Sequence, residues 1–246
     1  MSLLVRCSLV LLFIVPALVT TAQAESSEIR PALLGNHARS LINLIDAASL
    51  MKRGQKNGLI MFSCGVTQLG QGYSPQVYRG TPNSELLGKE VIGRIFQAEF
   101  EPAIYRGAKT AVYIFGTVVF AIVDGKPHVR IMLNQEGEDV IKGRDFVAPQ
   151  LAFVPGNPKY QGIYYPPAAP GFPGVAAVAM DIDTSGRVKN AKVSYEYPAN
   201  MHFGAAAASG IIDAIFIPGF RNGKAVSCRF TMPVIFSGPS FKMTTG

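Results

Sequence analysis

The chain has 246 residues, 48% of them hydrophobic, and carries a formal net charge of +7. That length allows one or two domains with buried cores, and the hydrophobic content excludes a disordered chain. Its basic residues do not cluster among aromatic ones, which argues against a nucleic-acid partner.

The N-terminus has the pattern of an export signal. Arg6 precedes an apolar run, and Ala22-Gln23-Ala24 supplies the small residues that a signal peptidase recognises. The run is interrupted by Pro16 and is shorter than the about 20 apolar residues of a spanning helix. We therefore expect residues 1–24 to be a cleaved signal peptide and the mature protein to be periplasmic. The alternative is that this segment is retained as an inner-membrane anchor.

Residues 25–57 are predicted to form a loose leader, up to residue 36, and an amphipathic helix from His37 to Arg53. Apolar residues spaced by three and four along this helix define its buried stripe: Leu41, Leu44, Ile45, Ala48 and Met51. We expect the helix to pack on its own domain rather than on a partner.

Residues 58–154 are predicted to form a unit of strands around one helix. The predicted strands are Leu59–Val66, Gln71–Arg79 and Ala108–Phe120, and the helix is Ser84–Phe96. Asp124-Gly125 is a hairpin turn, and the alternation of Val129, Ile131 and Leu133 after it predicts an added fourth strand. Residues 134–150 have no assigned role.

A connection rich in proline and glycine spans residues 155–173 and leads to a second unit, residues 174–246. Val178, Met180 and Ile182 should point inward on its first strand, and Val188–Tyr195 should form its second strand. A helix capped by Asn200 should follow and bury one face, which carries Phe203, Ala207, Ile211 and Ala214. The unit should end in a strand from Val226 to Phe236.

Residues 58–120 and 174–236 share a pattern at a constant spacing of 116 residues, without a gap. Twelve positions are identical, about three times the number expected by chance at ordinary residue usage. The identities fall where turns and helix ends are predicted: Gly58/Gly174, Gly70/Gly186, Val77/Val193, Pro82/Pro198, Gly88/Gly204, Ile95/Ile211, Ala98/Ala214, Phe100/Phe216, Pro102/Pro218, Gly107/Gly223, Val118/Val234 and Phe120/Phe236. The pattern indicates a tandem repeat.

The second of these segments resembles the C-terminal domain of the TonB family, the periplasmic proteins that grip outer-membrane transporters. The motifs that carry the resemblance are the helix end with Phe216 and Pro218, the turn Asn222-Gly223-Lys224, and the final Pro233-Val234-Ile235-Phe236. The resemblance implies an α+β fold with two TonB-like strand–strand–helix–strand units and antiparallel sheets, preceded by the N-terminal helix. The second copy matches the family better than the first.

In the TonB family, this domain binds an extended peptide by adding it to a sheet edge, where main-chain hydrogen bonds supply affinity. The resemblance, together with the cleavable N-terminal segment and the lack of a long proline-rich spacer after it, implies a soluble periplasmic binding or scaffold module whose partner is an outer-membrane transporter or another envelope protein. The corresponding edge here is the last strand, with Val226, Ser227, Arg229 and Thr231 as the partner-binding residues. Alternatively, the other unit or a second copy, in a homodimer, covers this edge. A membrane-anchored TonB-type energy transducer is the alternative function.

Cys64 and Cys228 would remain after signal cleavage, and alternation points both of them inward. An oxidising periplasm permits a disulfide between them, but only if their Cα atoms lie within about 7 Å. If each unit keeps a separate core, both residues should be buried thiols. The sequence leaves these two outcomes open.

No catalytic motif stands out, so we do not expect an enzyme, a metal site or a cofactor. His37, His128 and His202 lie far apart in the sequence, without metal-ligand spacing. Asp181 and Asp183 share a strand face, which is typical of the solvent side of a hairpin. An enzyme with its site between the two units would need convergent polar groups there.

Overall fold

The computed structural model describes residues 28–155, 157, 162–169 and 171–237. The predicted signal peptide and part of the proline-rich connection therefore lie outside the described residues. The fold is α+β and is built mostly from antiparallel strands. The helices are α1 Leu41–Leu44, α2 Ala47–Lys52, α3 Glu85–Ile95, α4 Glu138–Lys142 and α5 Phe203–Ile211. The strands are β1 Ile29–Arg30, β2 Gly58–Val66, β3 Gly72–Gly80, β4 Ala103–Tyr105, β5 Ala108–Val123, β6 Lys126–Met132, β7 Gln150–Phe153, β8 Gly174–Ile182, β9 Val188–Tyr197, β10 Ile215–Ile217, β11 Gly219–Arg221, β12 Lys224–Val226 and β13 Cys228–Phe236.

An eight-stranded sheet is built mainly from the N-terminal half (residues 28–155). Five of its strands follow one another in the order β1-β4-β5-β2-β3, and the other three, β6, β7 and β10, lie off this path. The long strand β5 also pairs with β6 and β7, and β7 in turn pairs with β10 from the C-terminal half (residues 162–237). The C-terminal half adds a three-stranded sheet in the order β13-β8-β9 and the β11-β12 hairpin. The two halves are therefore joined by main-chain pairing as well as by the connection between them.

The order strand, strand, helix, strand occurs twice, and the pairing registers agree at the spacing of 116 residues. In the N-terminal half β2 pairs with β5 from Gly58↔Phe120 to Val66↔Val112, and in the C-terminal half β8 pairs with β13 from Gly174↔Phe236 to Ile182↔Cys228. The small hairpins agree as well, since Ala103 pairs with Thr110 and Gly219 pairs with Val226.

The first hairpin turn of each half requires glycine. Gly70 and Gly186 have φ of +82° and +81°, which residues with a side chain rarely adopt. A Cβ at either position would collide with a carbonyl oxygen, that of Phe100 or of Phe216. Each turn is also held to the segment that follows the main helix by a backbone hydrogen bond of 2.8 Å, in which the N–H of Phe100 or Phe216 donates to the carbonyl of Gly70 or Gly186.

The two main helices bury the predicted faces. In α3, Leu87, Val91 and Ile95 are fully buried, as the periodicity predicts, and in α5 the buried residues are Phe203, Gly204, Ala207 and Ile211. The burial of each large apolar side chain contributes about 1.5–3 kcal/mol.

The predicted N-cap of α5 is wrong. The capping position is His202, whereas Asn200 lies two residues earlier with φ of +64°. The Glu196 carboxylate caps the helix instead, because it accepts hydrogen bonds from the N–H groups of Met201 and His202 at 3.0 Å and of Gly204 at 2.7 Å. Glu196 lies near the end of β9, several residues before the helix starts. A rule that considers only the residue at the start of the helix therefore cannot predict this cap.

The predicted helix from His37 to Arg53 is two short helices. The chain leaves α1 at Ile45, and the Asp46 carboxylate starts α2 by accepting from the Ser49 N–H at 2.8 Å. Because the break rotates the second helix, Leu50 is buried and Ala48 is exposed, contrary to the predicted stripe.

The leader, predicted to be loose, pairs with the sheet. Its strand β1 pairs with β4, and the buried Gln150 side chain bonds both backbone groups of Ala32 at 2.8 Å. Gln150 therefore fixes the leader to β7.

Two hydrophobic cores flank the large sheet. One contains α3 and the sheet face that bears Phe62 and Cys64. The other contains α5, the inner face of β8 and β13, and side chains from the N-terminal half, including Phe115, which packs edge to face on Phe230 at 5.3 Å between ring centroids. Cys228 packs against this second core, and both cysteines are free thiols. Cys64 and Cys228 therefore lie against different cores in this structure, and whether they are bridged in the mature protein stays a prediction to be tested.

Candidate partner-binding edge

Strand β13 is the edge of the three-stranded sheet and pairs with β8 along its full length. The carbonyl oxygens of Arg229 and Thr231 accept hydrogen bonds from side chains outside this sheet. In an antiparallel strand, the N–H and C=O groups of successive residues point alternately to the two neighbouring sides. The N–H and C=O groups of the odd-numbered residues of β13 therefore point away from β8. No strand pairs with this outer side within the described residues.

The four predicted site residues do not lie on one strand. Val226 belongs to β12 and pairs with Gly219, so the predicted continuous strand from Val226 to Phe236 is wrong. Ser227 lies exposed at the break between β12 and β13. Arg229 and Thr231 lie on β13 with their backbone groups on the outer side, so only Ser227, Arg229 and Thr231 lie along the edge.

The segment without an assigned role, residues 134–150, covers part of this edge. The amide of Gln135 donates to the Thr231 carbonyl at 2.7 Å, and the Lys142 ammonium donates to the Arg229 carbonyl at 2.8 Å. These two acceptors are therefore satisfied within the chain. The outward N–H groups of Arg229 and Thr231 have no partner among the described residues.

Beyond Thr231 the edge offers less to a partner. Pro233 has no N–H to donate, and residues 232–235 face a crevice of about 60 Å³ against the large sheet. Tyr78 and Tyr113 line this crevice, and burial raises the pKa of both hydroxyls, that of Tyr113 to about 12. This end of the edge is narrow and uncharged.

At the other end of the edge lies a much larger hollow of about 650 Å³, which we call the basic hollow. Its residues come from the end of α4 and the segment after it, from the β11-β12 hairpin, and from the start of β13 with the residue before it. The charged ones are all basic: Lys142, Arg221, Lys224 and Arg229. Phe146, Val226 and Cys228 add apolar surface to its lining.

The four cations of the hollow differ in how they are paired. Lys142 and Arg229 each contact a carboxylate, Glu138 at 2.8 Å and Asp181 at 3.1 Å. The Arg221 guanidinium donates to the carbonyl of Lys142 at 3.2 Å. Neither Arg221 nor Lys224 makes an ion pair with any described residue.

The thiol of Cys228 at this hollow is half-buried. Burial raises its pKa, while the Lys142 ammonium opposes that shift. The thiol is thus protonated at neutral pH and contributes apolar surface.

Within the described residues, no group of three or more His, Cys, Asp and Glu side chains is arranged to bind a metal ion. In the same part of the chain, none of the helices has both the length and the apolar character needed to cross a membrane.

Comparison of the chain with protein-family models, with curated proteins and with solved structures found no match.

Proposed function

We propose that this chain is a periplasmic, TonB-like protein-binding module made of two related units, and that it holds a protein partner by adding a strand of that partner to the outer edge of β13. Supporting this proposal are the common registers of the two halves and their paired turn glycines. The observation that carries the binding function is the pair of outward N–H groups at Arg229 and Thr231, which are donors without partners on a sheet edge among the described residues.

The N-terminal half provides an internal precedent. At the spacing of 116 residues, β5 is the equivalent of β12 and β13, and its outer edge is occupied by two antiparallel strands. Strand β7 pairs with Ala111–Tyr113, and β6 pairs with Thr117–Val123. The equivalent of Arg229, Tyr113, is therefore paired with an added strand, whereas the equivalent of Thr231, Phe115, lies between the two added strands.

The test is Thr231→Pro, which removes one outward donor and leaves the inward face unchanged. Proline is tolerated on edge strands, as Pro233 already illustrates. Loss of one hydrogen bond that leaves a partner carbonyl unsatisfied should weaken capture of an envelope protein about tenfold. Binding to the immobilised mature protein is measured by pull-down and titration, and the melting temperature is recorded in parallel.

The control is Thr231→Val, which keeps the backbone donor and should bind like the wild type. Equal capture by Thr231→Pro and the wild type would mean that the edge is structural and that the partner binds elsewhere.

A further inference from the structure

We infer that the basic hollow receives an acidic polypeptide segment of the partner, so that carboxylate side chains of that segment lie between Arg221, Lys224, Lys142 and Arg229. The pairing of backbones in this inference rests on the proposed function. The charge recognition rests on the hollow itself.

The position of the hollow is the first argument. Ser227–Arg229 is the equivalent of Ala111–Tyr113, and in the N-terminal half that stretch is paired with β7, from Ala111↔Phe153 to Tyr113↔Leu151. In the C-terminal half the same stretch borders a hollow of about 650 Å³. The open volume lies where the other half holds a strand, and it falls within the range of about 300–1,000 Å³ typical of ligand clefts.

The second argument is the charge on the β11-β12 hairpin. Arg221 and Lys224 pair directly across this hairpin, and like charges in directly opposite positions destabilise a strand pair. The equivalent pair in the N-terminal half is Tyr105 and Ala108, which carries no such repulsion. The nearby Asp145 carboxylate accepts from the backbone N–H of Asn222 rather than from either cation. An acidic side chain between the two cations would relieve the repulsion.

The third argument concerns Lys142. Its ammonium donates a hydrogen bond to the Arg229 carbonyl, and an added strand would need that carbonyl as an acceptor. An incoming N–H would replace the ammonium, and Lys142, which keeps its contact with Glu138, would then have a donor available for a carboxylate of the same segment. The hydrogen bond in the free protein thus keeps the acceptor satisfied until a partner arrives.

Apolar surface around the hollow favours a polypeptide over a small anion. Phe146 and Val226 line the hollow beside its cations. They offer contacts to the apolar side chains of a peptide, which an inorganic anion does not have.

The experiment measures binding of the mature protein to short labelled peptides by fluorescence anisotropy. One peptide alternates Glu and Val, and the matched one has Gln in place of every Glu. We expect the acidic peptide to bind at least about tenfold more tightly, and the difference to vanish near 1 M salt, where the Debye length is about 3 Å.

The double variant Arg221→Gln/Lys224→Gln should weaken binding of the acidic peptide about tenfold and leave the Gln peptide unaffected. The control is Lys109→Gln/Lys126→Gln, which removes the same charge from exposed positions in the N-terminal half and should bind the acidic peptide like the wild type. Equal losses in both double variants, or equal binding of both peptides, would overturn the inference. It would also be overturned if vesicles of anionic phospholipid bound in an Arg221- and Lys224-dependent manner while the acidic peptide did not.

Thr231→Pro separates the two proposals. If the acidic peptide binds this variant as it binds the wild type, and Arg221→Gln/Lys224→Gln still weakens binding, charge recognition stands and strand addition fails. If Thr231→Pro weakens binding and Arg221→Gln/Lys224→Gln does not, strand addition stands and the acidic preference fails.

Discussion

Equivalent turns in the two halves are closed by different side chains. In the C-terminal half the Asp183 carboxylate accepts from the N–H groups of Ser185 and Arg187, at 2.9 and 3.0 Å, and contacts the Lys189 ammonium at 2.9 Å. In the N-terminal half the hydroxyl of Thr67 accepts from the corresponding N–H groups of Leu69 and Gln71. One turn depends on an ionisable group and the other does not.

This difference predicts a pH-dependent contribution to stability from one turn only. Desolvation alone would raise the pKa of Asp183, but its hydrogen bonds from Ser185, Arg187 and Lys189 hold it well below the usual range. Because the folded-state pKa lies below the unfolded value of about 3.9, the stabilisation is present above that pH and is lost as the pH falls towards the folded pKa. Asp183→Asn should therefore lower the free energy of unfolding by about 1–2 kcal/mol at neutral pH, with a smaller effect at pH 3.

Urea denaturation at the two pH values measures this effect. Thr67→Val serves as the control, because it should lower the free energy of unfolding by the same amount at both pH values. An Asp183→Asn cost that does not shrink in acid would contradict the assigned hydrogen bonds.

At the scale of elements, the paired turn glycines are the sharpest feature common to the two halves. Gly70→Ala and Gly186→Ala should each lower the free energy of unfolding by about 3 kcal/mol or more, since a positive φ costs about 1–2 kcal/mol and the collision with a carbonyl adds to it. Gly125 also has a positive φ, +72°, but nothing lies within 4 Å of a Cβ there. Gly125→Ala should cost only about 1 kcal/mol.

Chemical denaturation of the three variants distinguishes these cases. Gly70→Ala and Gly186→Ala should agree with each other. A cost for Gly186→Ala no larger than that for Gly125→Ala would contradict the structural equivalence of the two turns.

The long strands and the two main helices could be predicted from the sequence because their patterns are local. Alternation locates β2, β5 and β8, and spacings of three and four locate the buried face of α3. Strands β7 and β10 could not be found this way, since each is three or four residues long and its partner is about 65 residues away. The contacts that cover part of the site could not be predicted for a related reason: Gln135 and Lys142 reach the edge from a segment whose own pattern indicates no partner.

For the molecule as a whole, the division into two cores determines the state of the cysteines. Cys64 is fully buried in the first core, while Cys228 borders the basic hollow. In the chain without residues 1–24, a thiol reagent should therefore modify Cys228 in the native protein and Cys64 only after unfolding. When the protein is denatured without a reducing agent, the reagent should modify both Cys64 and Cys228.

Thiol titration before and after denaturation measures this directly, and Cys228→Ser should remove the one of these two thiols that reacts in the native protein. Finding neither thiol in the denatured, unreduced protein would mean that the two residues are bridged after all.

The pairing of β10 with β7 has a consequence for the descent of the chain. Two copies that arise by duplication of one gene begin as independent modules, and either can later be lost. If the two halves arose in that way, strand β10 of the second copy has since become part of the sheet of the first copy. Likewise, Phe115 and Leu151 of the first copy have become part of the core of the second. Deleting either copy would leave an open sheet edge and apolar side chains in water. Selection should therefore keep or lose the two copies together, and lineages with a single copy should have replaced these contacts.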